Sequence, residues 1–116
     1  MKTNISVVGS IALDTLETPK GNYCDLLGGS ATYFAIAASK FSPVEVIGIV
    51  GTDFPKHGWD IFNQNNINHE NIIRETGKTF RWGGKYNQDY SRRDTLFTEL
   101  GVFEHFSPQI KNTNNE

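Results

Sequence analysis

Apolar positions along this chain fall in short bursts separated by turn-forming residues. NISVVG at 4 to 9 is a β-branched run closing on Gly9 and Ser10, and VEVIGIV at 44 to 50 is a second, nearly unbroken apolar run. Both read as strands buried within a sheet. Between them the pattern predicts a bent extended segment at 11 to 18 and a short one at 22 to 27, with a hairpin-like turn at Pro19, Lys20, Gly21 and Asn22. A helix is expected over 30 to 41, ending before Ser42 and Pro43 because proline disfavours a helical predecessor. A second helix is expected over 57 to 65, with Trp59, Ile61 and Phe62 as its apolar side. IIRETGKTFRWGGKYNQDY then reads as a short strand, a turn at Thr76 and Gly77, and a longer strand. RRDTLFTELGVFEHF supplies an antiparallel partner for that longer strand. Strand, excursion, helix, strand and second helix in this order are the opening of an α/β domain.

Length and composition narrow this picture. A chain of 116 residues with 37% hydrophobic content can bury one core, not two. Eleven basic against thirteen acidic residues leave a formal charge of -2, which argues against a general nucleic-acid or membrane-surface binder. From Lys78 to Asp94, however, five cations (Lys78, Arg81, Lys85, Arg92, Arg93) face two anions (Asp89, Asp94). A solvated strand face accounts for this excess, and a dedicated anion site is the alternative. Cys24 is the sole cysteine, so an internal disulfide and a CxxC motif are both excluded, and a reducing, cytoplasmic setting is expected. The start MKTNISVVGSIAL imitates a signal peptide, but its apolar run is short and meets Gly9, Ser10 and Asp14. No stretch approaches the roughly 20 apolar residues of a spanning helix.

The candidate chemistry centres on GGSATYFAIAASKF, residues 28 to 41, where a glycine pair opens directly onto a helix. Glycines let backbone approach a ligand closely, and Ser30 is placed to cap the helix, leaving amides at its start to face a polar group. A tight strand-to-helix turn without ligand is the plainer reading of the glycine pair alone. Phe80 and Trp82 fall on one face of their strand and Arg81 on the other. Burial statistics favour a core role for both Trp59 and Trp82. His57, His69 and His105 show no metal-ligand spacing, and Walker-type GxxxxGK[ST] and dinucleotide GxGxxG patterns are absent from the sequence.

Four blocks in order, VVGSIALD, LGGSATYFAIAAS, VIGIVGTDFP and GKTFRWGGKY, resemble the N-terminal portion of the ribokinase-like, or PfkB, family of carbohydrate and nucleoside kinases, over residues 4 to 108. The resemblance implies a partial Rossmann-type three-layer α/β body, residues 1 to 110, carrying a small antiparallel β lid from segments 11 to 27 and 78 to 101, with 111 to 116 as a polar tail. It implies that Asp14 accepts hydrogen bonds from substrate hydroxyls, that Gly28 and Gly29 lie against the substrate, and that Ser30 contacts it or only caps the helix. Phe80, Arg81 and Trp82 would belong to the lid. Tyr33 stands where the family pattern usually has asparagine, so the acceptor is a different polyol, a nucleoside or another molecule, unless Tyr33 is core. Asp53 in GTDFPKHG reads as a turn residue with a possible share in binding.

The family's latter half carries a glycine-rich anion hole, a catalytic aspartate in an Asp-Thr-x-Gly-Ala-Gly-Asp type motif, and the ATP pocket. No such motif occurs in these 116 residues. ATP and Mg2+ are thus implied for the full-length family rather than for this chain, which is expected to bind a sugar or nucleoside and to be inactive alone. The competing expectation is a non-catalytic remnant or interaction module forming a homodimer through its lid.

Overall fold

The computed structural model describes residues 5 to 108. The expected polar tail at 111 to 116, the domain boundary at 110 and the start of the first strand at Asn4 lie outside them. Seven strands and two α-helices follow one another as β1 (Ile5–Val8), β2 (Ala12–Thr18), β3 (Gly21–Gly28), α1 (Ser30–Ala38), β4 (Val44–Gly51), α2 (Lys56–Gln64), β5 (Ile72–Glu75), β6 (Phe80–Tyr86) and β7 (Arg93–Glu99), closed by a 3-10 turn at Gly101–His105.

The strands divide into two sheets. The body sheet has the order β1-β4-β5, all parallel, with α1 and α2 as crossovers. Every residue of β4 is buried, as its unbroken apolar run requires of a central parallel strand. Its Val44, Val46 and Val50 join Val7, Ile72 and the fully buried Phe62 of α2 in the core. Glu45 is the buried exception, and both its oxygens are engaged, by Ser6 Oγ at 2.8 Å and Asn71 Nδ2 at 2.9 Å. Helix α1 stops at Ala38, three residues before the expected end, because bonds from Lys40 to Ala37 and from Phe41 to Ala38 tighten its last turn.

The second sheet, ordered β3-β2-β6-β7, is the expected lid. Its β2–β3 and β6–β7 pairs are antiparallel hairpins, but the central β2–β6 pair is parallel, from Ala12 opposite Phe80 to Glu17 opposite Lys85. The lid is therefore mixed rather than wholly antiparallel. A parallel pair needs a long crossover, and the run from β3 to β5 supplies one.

One polar cluster ties the lid to the body. Asp53, just past β4, accepts from Thr79 N at 2.8 Å, Thr79 Oγ1 at 2.7 Å and Arg81 Nη2 at 3.0 Å. Thr79 Oγ1 in turn accepts from Gly51 N at 2.9 Å. Arg81 also pairs with Asp25, a β3 residue held at φ 56°. Burial works to raise the Asp53 pKa, but the Thr79 and Arg81 hydrogen bonds outweigh it and hold the carboxyl below its usual range. Asp53 is thus a clasp between the two sheets, more than a turn residue.

Candidate functional site

Where the lid meets the start of α1 there is a cavity of about 580 Å³, within the range typical of small-molecule sites. Asp14 and Trp82, paired across β2 and β6, lie on its lid side with Phe80 and Tyr86, while Gly29 just before α1 and Ser30 and Tyr33 of α1 contribute from the other side. The cavity thereby gathers Asp14, Gly29, Ser30, Tyr33, Phe80 and Trp82 from the sequence-derived candidates.

Gly28 does not line the cavity, yet the carboxylate depends on it: a Cβ there would stand 2.1 Å from Asp14 Oδ2. Gly29 is fixed twice over, by φ 96° and by the Ser10 carbonyl oxygen, which would lie 2.4 Å from an added Cβ. The glycine pair makes room for Asp14 and for the β1–β2 junction.

The capping expectation is corrected. Gly29, not Ser30, is the N-cap, and it has no side chain to bond with. Ser30 instead begins the helix, its amide donating to Ser10 Oγ at 3.0 Å and its hydroxyl lying 3.1 Å from that same oxygen. The Ala31 amide donates to the Ser10 carbonyl at 3.0 Å. Two amides of the first turn are consumed by Ser10, so the helix start is a weaker polar receptor than the sequence implied. Serine capping from a strand junction twenty positions upstream leaves no local signature.

Asp14 is only 9% exposed, and burial pushes its pKa up, while the Tyr33 hydroxyl and the charge of Arg93 favour the carboxylate. Tyr33 is 60% exposed, so it is not core. Its phenol is pushed up by partial burial and by Asp14, which keeps it a neutral donor at neutral pH.

Trp82 is not core either. It is half-buried in the cavity wall, with the Arg93 guanidinium carbon 4.7 Å from its ring centroid. Trp59 does take its expected core place, edge-on to Phe54 at 4.9 Å. Arg81 points to the opposite face of the lid, as the alternation predicts, and into the Asp25–Asp53 cluster. Ala12, Leu16, Tyr86 and Arg93 also line the cavity without having been singled out as site residues, although Arg93 belongs to the cation excess between 78 and 94 for which an anion site was the alternative.

Among the described residues no three His, Cys, Asp or Glu groups converge, and Asp14 is the single carboxylate of the cavity wall. The arrangement suits a polyhydroxyl group: one buried acceptor, donors beside it, and an aromatic wall. No helix of the described residues is long and apolar enough to cross a membrane.

No protein-family model and no curated protein matches the sequence. Solved structures do resemble the fold. The nucleoside kinase of Methanocaldococcus jannaschii, an archaeal member of the ribokinase family, shares 23% identity at a TM-score of 0.71, covering 94% of this chain and 42% of its own. The Burkholderia thailandensis nucleoside kinase in complex with inosine shares 17% at 0.76, with coverages of 87% and 36%. Ribokinase from Cryptococcus neoformans in complex with ADP shares 16% at 0.72, with coverages of 87% and 35%. The chain has the ribokinase-like α/β fold and spans 42% or less of the length of these three structures.

Proposed function

We propose that this chain is the N-terminal, acceptor-binding part of an ATP-dependent sugar or nucleoside kinase. The observation that carries this reading is the buried Asp14 carboxylate in an aromatic-walled cavity between the lid and the start of α1. An ionised carboxylate with two oxygens accepts from neighbouring hydroxyls of a furanose or pyranose, and water exclusion strengthens both bonds. Tyr33 donates beside it, and Phe80 and Trp82 offer apolar faces to a sugar ring or a base. ATP, magnesium and the base that deprotonates the acceptor would come from residues outside this chain, so the chain alone binds and does not turn over.

Calorimetric titration of the chain with a panel of sugars and nucleosides, alongside an ATP-consumption assay, tests this. Binding that Asp14→Asn abolishes, without ATP consumption, is the expected result. Absence of binding across the panel refutes the acceptor role; turnover by the pure chain refutes its dependence on a second part.

A second reading draws on the lid edges. Tyr23 and Leu26 on β3 and Leu96 on β7 are 47%, 39% and 44% exposed. A lid with apolar rims on both outer strands suits a module that pairs with a second copy. Sedimentation of wild type beside Leu26→Ser/Leu96→Ser decides it: self-association that the substitutions abolish supports the reading, and a monomer in both samples excludes lid-mediated pairing.

A further inference from the structure

The cations of the lid have unequal fates. Arg81 is neutralised by Asp25 and Asp53, and Arg92 by Asp94 at 3.6 Å. Lys78, Lys85 and Arg93 are all exposed, but the two lysines lie outside the lining of the Asp14 cavity. Arg93 alone lines that cavity, and among the described residues it has no ion-pair partner. It is not free to swing at random, because its guanidinium stacks on Trp82 at 4.7 Å and its backbone is paired with Tyr86 across the β6–β7 ladder.

The cavity therefore has two differently charged contributors, the Asp14 carboxylate and the Arg93 guanidinium. Asp14 attracts hydroxyl donors and repels anions. Arg93 presents a planar fork of donors suited to carboxylate or phosphate oxygens. A ligand that satisfies both has hydroxyls at one end and a negative charge at the other. The α1 start is a poor rival for that charge, since Ser10 already takes the Ser30 and Ala31 amides. A neutral acceptor would give the guanidinium only hydrogen bonds to hydroxyl oxygens, whereas an anionic one adds charge pairing, which makes such bonds roughly twice as strong.

The geometry points to an acceptor that carries an anionic substituent, a sugar acid or a sugar phosphate, with Arg93 as the residue that selects it and Trp82 as the residue that positions Arg93. This rests on the acceptor-binding reading of the same cavity.

The test is calorimetric titration of the full chain with gluconate, ribose phosphate, ribose and inosine, for wild type, Arg93→Gln, Trp82→Leu and Asp14→Asn, each checked for native circular dichroism. In wild type one or both anions are expected to bind at least about tenfold tighter than ribose and inosine, and the tighter of the two identifies the substituent. Arg93→Gln should bring that preference to within about twofold, Trp82→Leu should leave an intermediate value, and Asp14→Asn should weaken all ligands. A wild-type titration at rising potassium chloride requires no variant: the anion preference should shrink as the charge is screened. Neutral ligands binding as tightly as the anions, or an anion preference that survives both Arg93→Gln and high salt, overturns the assignment while leaving Asp14-dependent acceptor binding intact. If none of the four ligands binds, the acceptor reading itself falls and takes this assignment with it.

Discussion

Removing the Asp53 carboxylate should uncouple the lid from the body. In Asp53→Ala the Thr79 amide, the Thr79 hydroxyl and one arm of Arg81 lose their shared acceptor. Thr79 is 1% exposed, so water cannot readily replace the bonds to it, whereas the Asp53 side chain is 24% exposed and Arg81 keeps Asp25. Hydrogen bonds to a charged group contribute about 1.5–3 kcal/mol each, and partial rehydration at Arg81 reduces its share, so a loss of about 3 kcal/mol is expected. For a domain of this size that lowers Tm by roughly 10–20 °C. The two tryptophans permit a regional readout, since Trp59 packs in the body and Trp82 lies in the lid. Urea unfolding of Trp59→Phe and Trp82→Phe backgrounds, followed by fluorescence, should give coincident transitions in the parent. In Asp53→Ala the Trp82 transition should move to lower urea ahead of the Trp59 transition. A Thr79→Val partner completes a double-mutant cycle, where a coupling of about 1 kcal/mol or more is expected. A loss below about 0.5 kcal/mol, or two transitions that stay superimposed, would refute the clasp.

Gly29→Ala should cost more than about 2 kcal/mol in chemical denaturation, because φ 96° and the Ser10 carbonyl both oppose a side chain; a smaller loss means the turn rearranges freely. Thr32→Val should be neutral or stabilise by up to about 1 kcal/mol, since the Thr32 hydroxyl is fully buried without a hydrogen-bond partner among the described residues; marked destabilisation would show that it has one. Acceptor affinity should fall as pH drops through the raised Asp14 pKa, because only the carboxylate accepts hydroxyls, and pH-independent binding down to about pH 4, near the ordinary aspartate value, would remove Asp14 from the contact. Folding stability carries two opposed contributions. The depressed Asp53 pKa gives stability that is present above the ordinary aspartate pKa and lost as pH falls through its folded value. The raised Asp14 pKa makes the native state hold its proton longer than the unfolded chain, so that contribution weakens as pH rises from the ordinary to the folded value. Denaturation of Asp53→Asn and Asp14→Asn across acidic pH separates the two.

The elements with strong local patterns were legible in the sequence. β4 announced itself through an apolar run, α2 through Trp59 and Phe62, and the alternation of Phe80, Arg81 and Trp82 gave the two faces of β6. What the sequence could not supply depended on pairings between distant segments. The parallel β2–β6 ladder requires knowing that residues 12 and 80 meet. The inward placement of Arg93 follows from the β6–β7 register, which shifts at Gly83 and Gly84, and a shift of one residue moves every later side chain to the other face. Ser10 as the partner of the first α1 amides is likewise a product of tertiary approach, and so is the clasp that recruits Asp53 from a turn.

The parallel seam at the middle of the lid also dictates an order of events in time. Each lid hairpin joins near neighbours and can form early, but the seam closes a loop between residues 12 and 80, the kind of distant contact that folding reaches late. Asp14 and Trp82 face each other across that seam, so the cavity comes into being only when the seam does. A ligand gripping both therefore meets a finished pocket and none of its precursors. Its protection would be felt as slower unfolding, with the rate of folding left untouched.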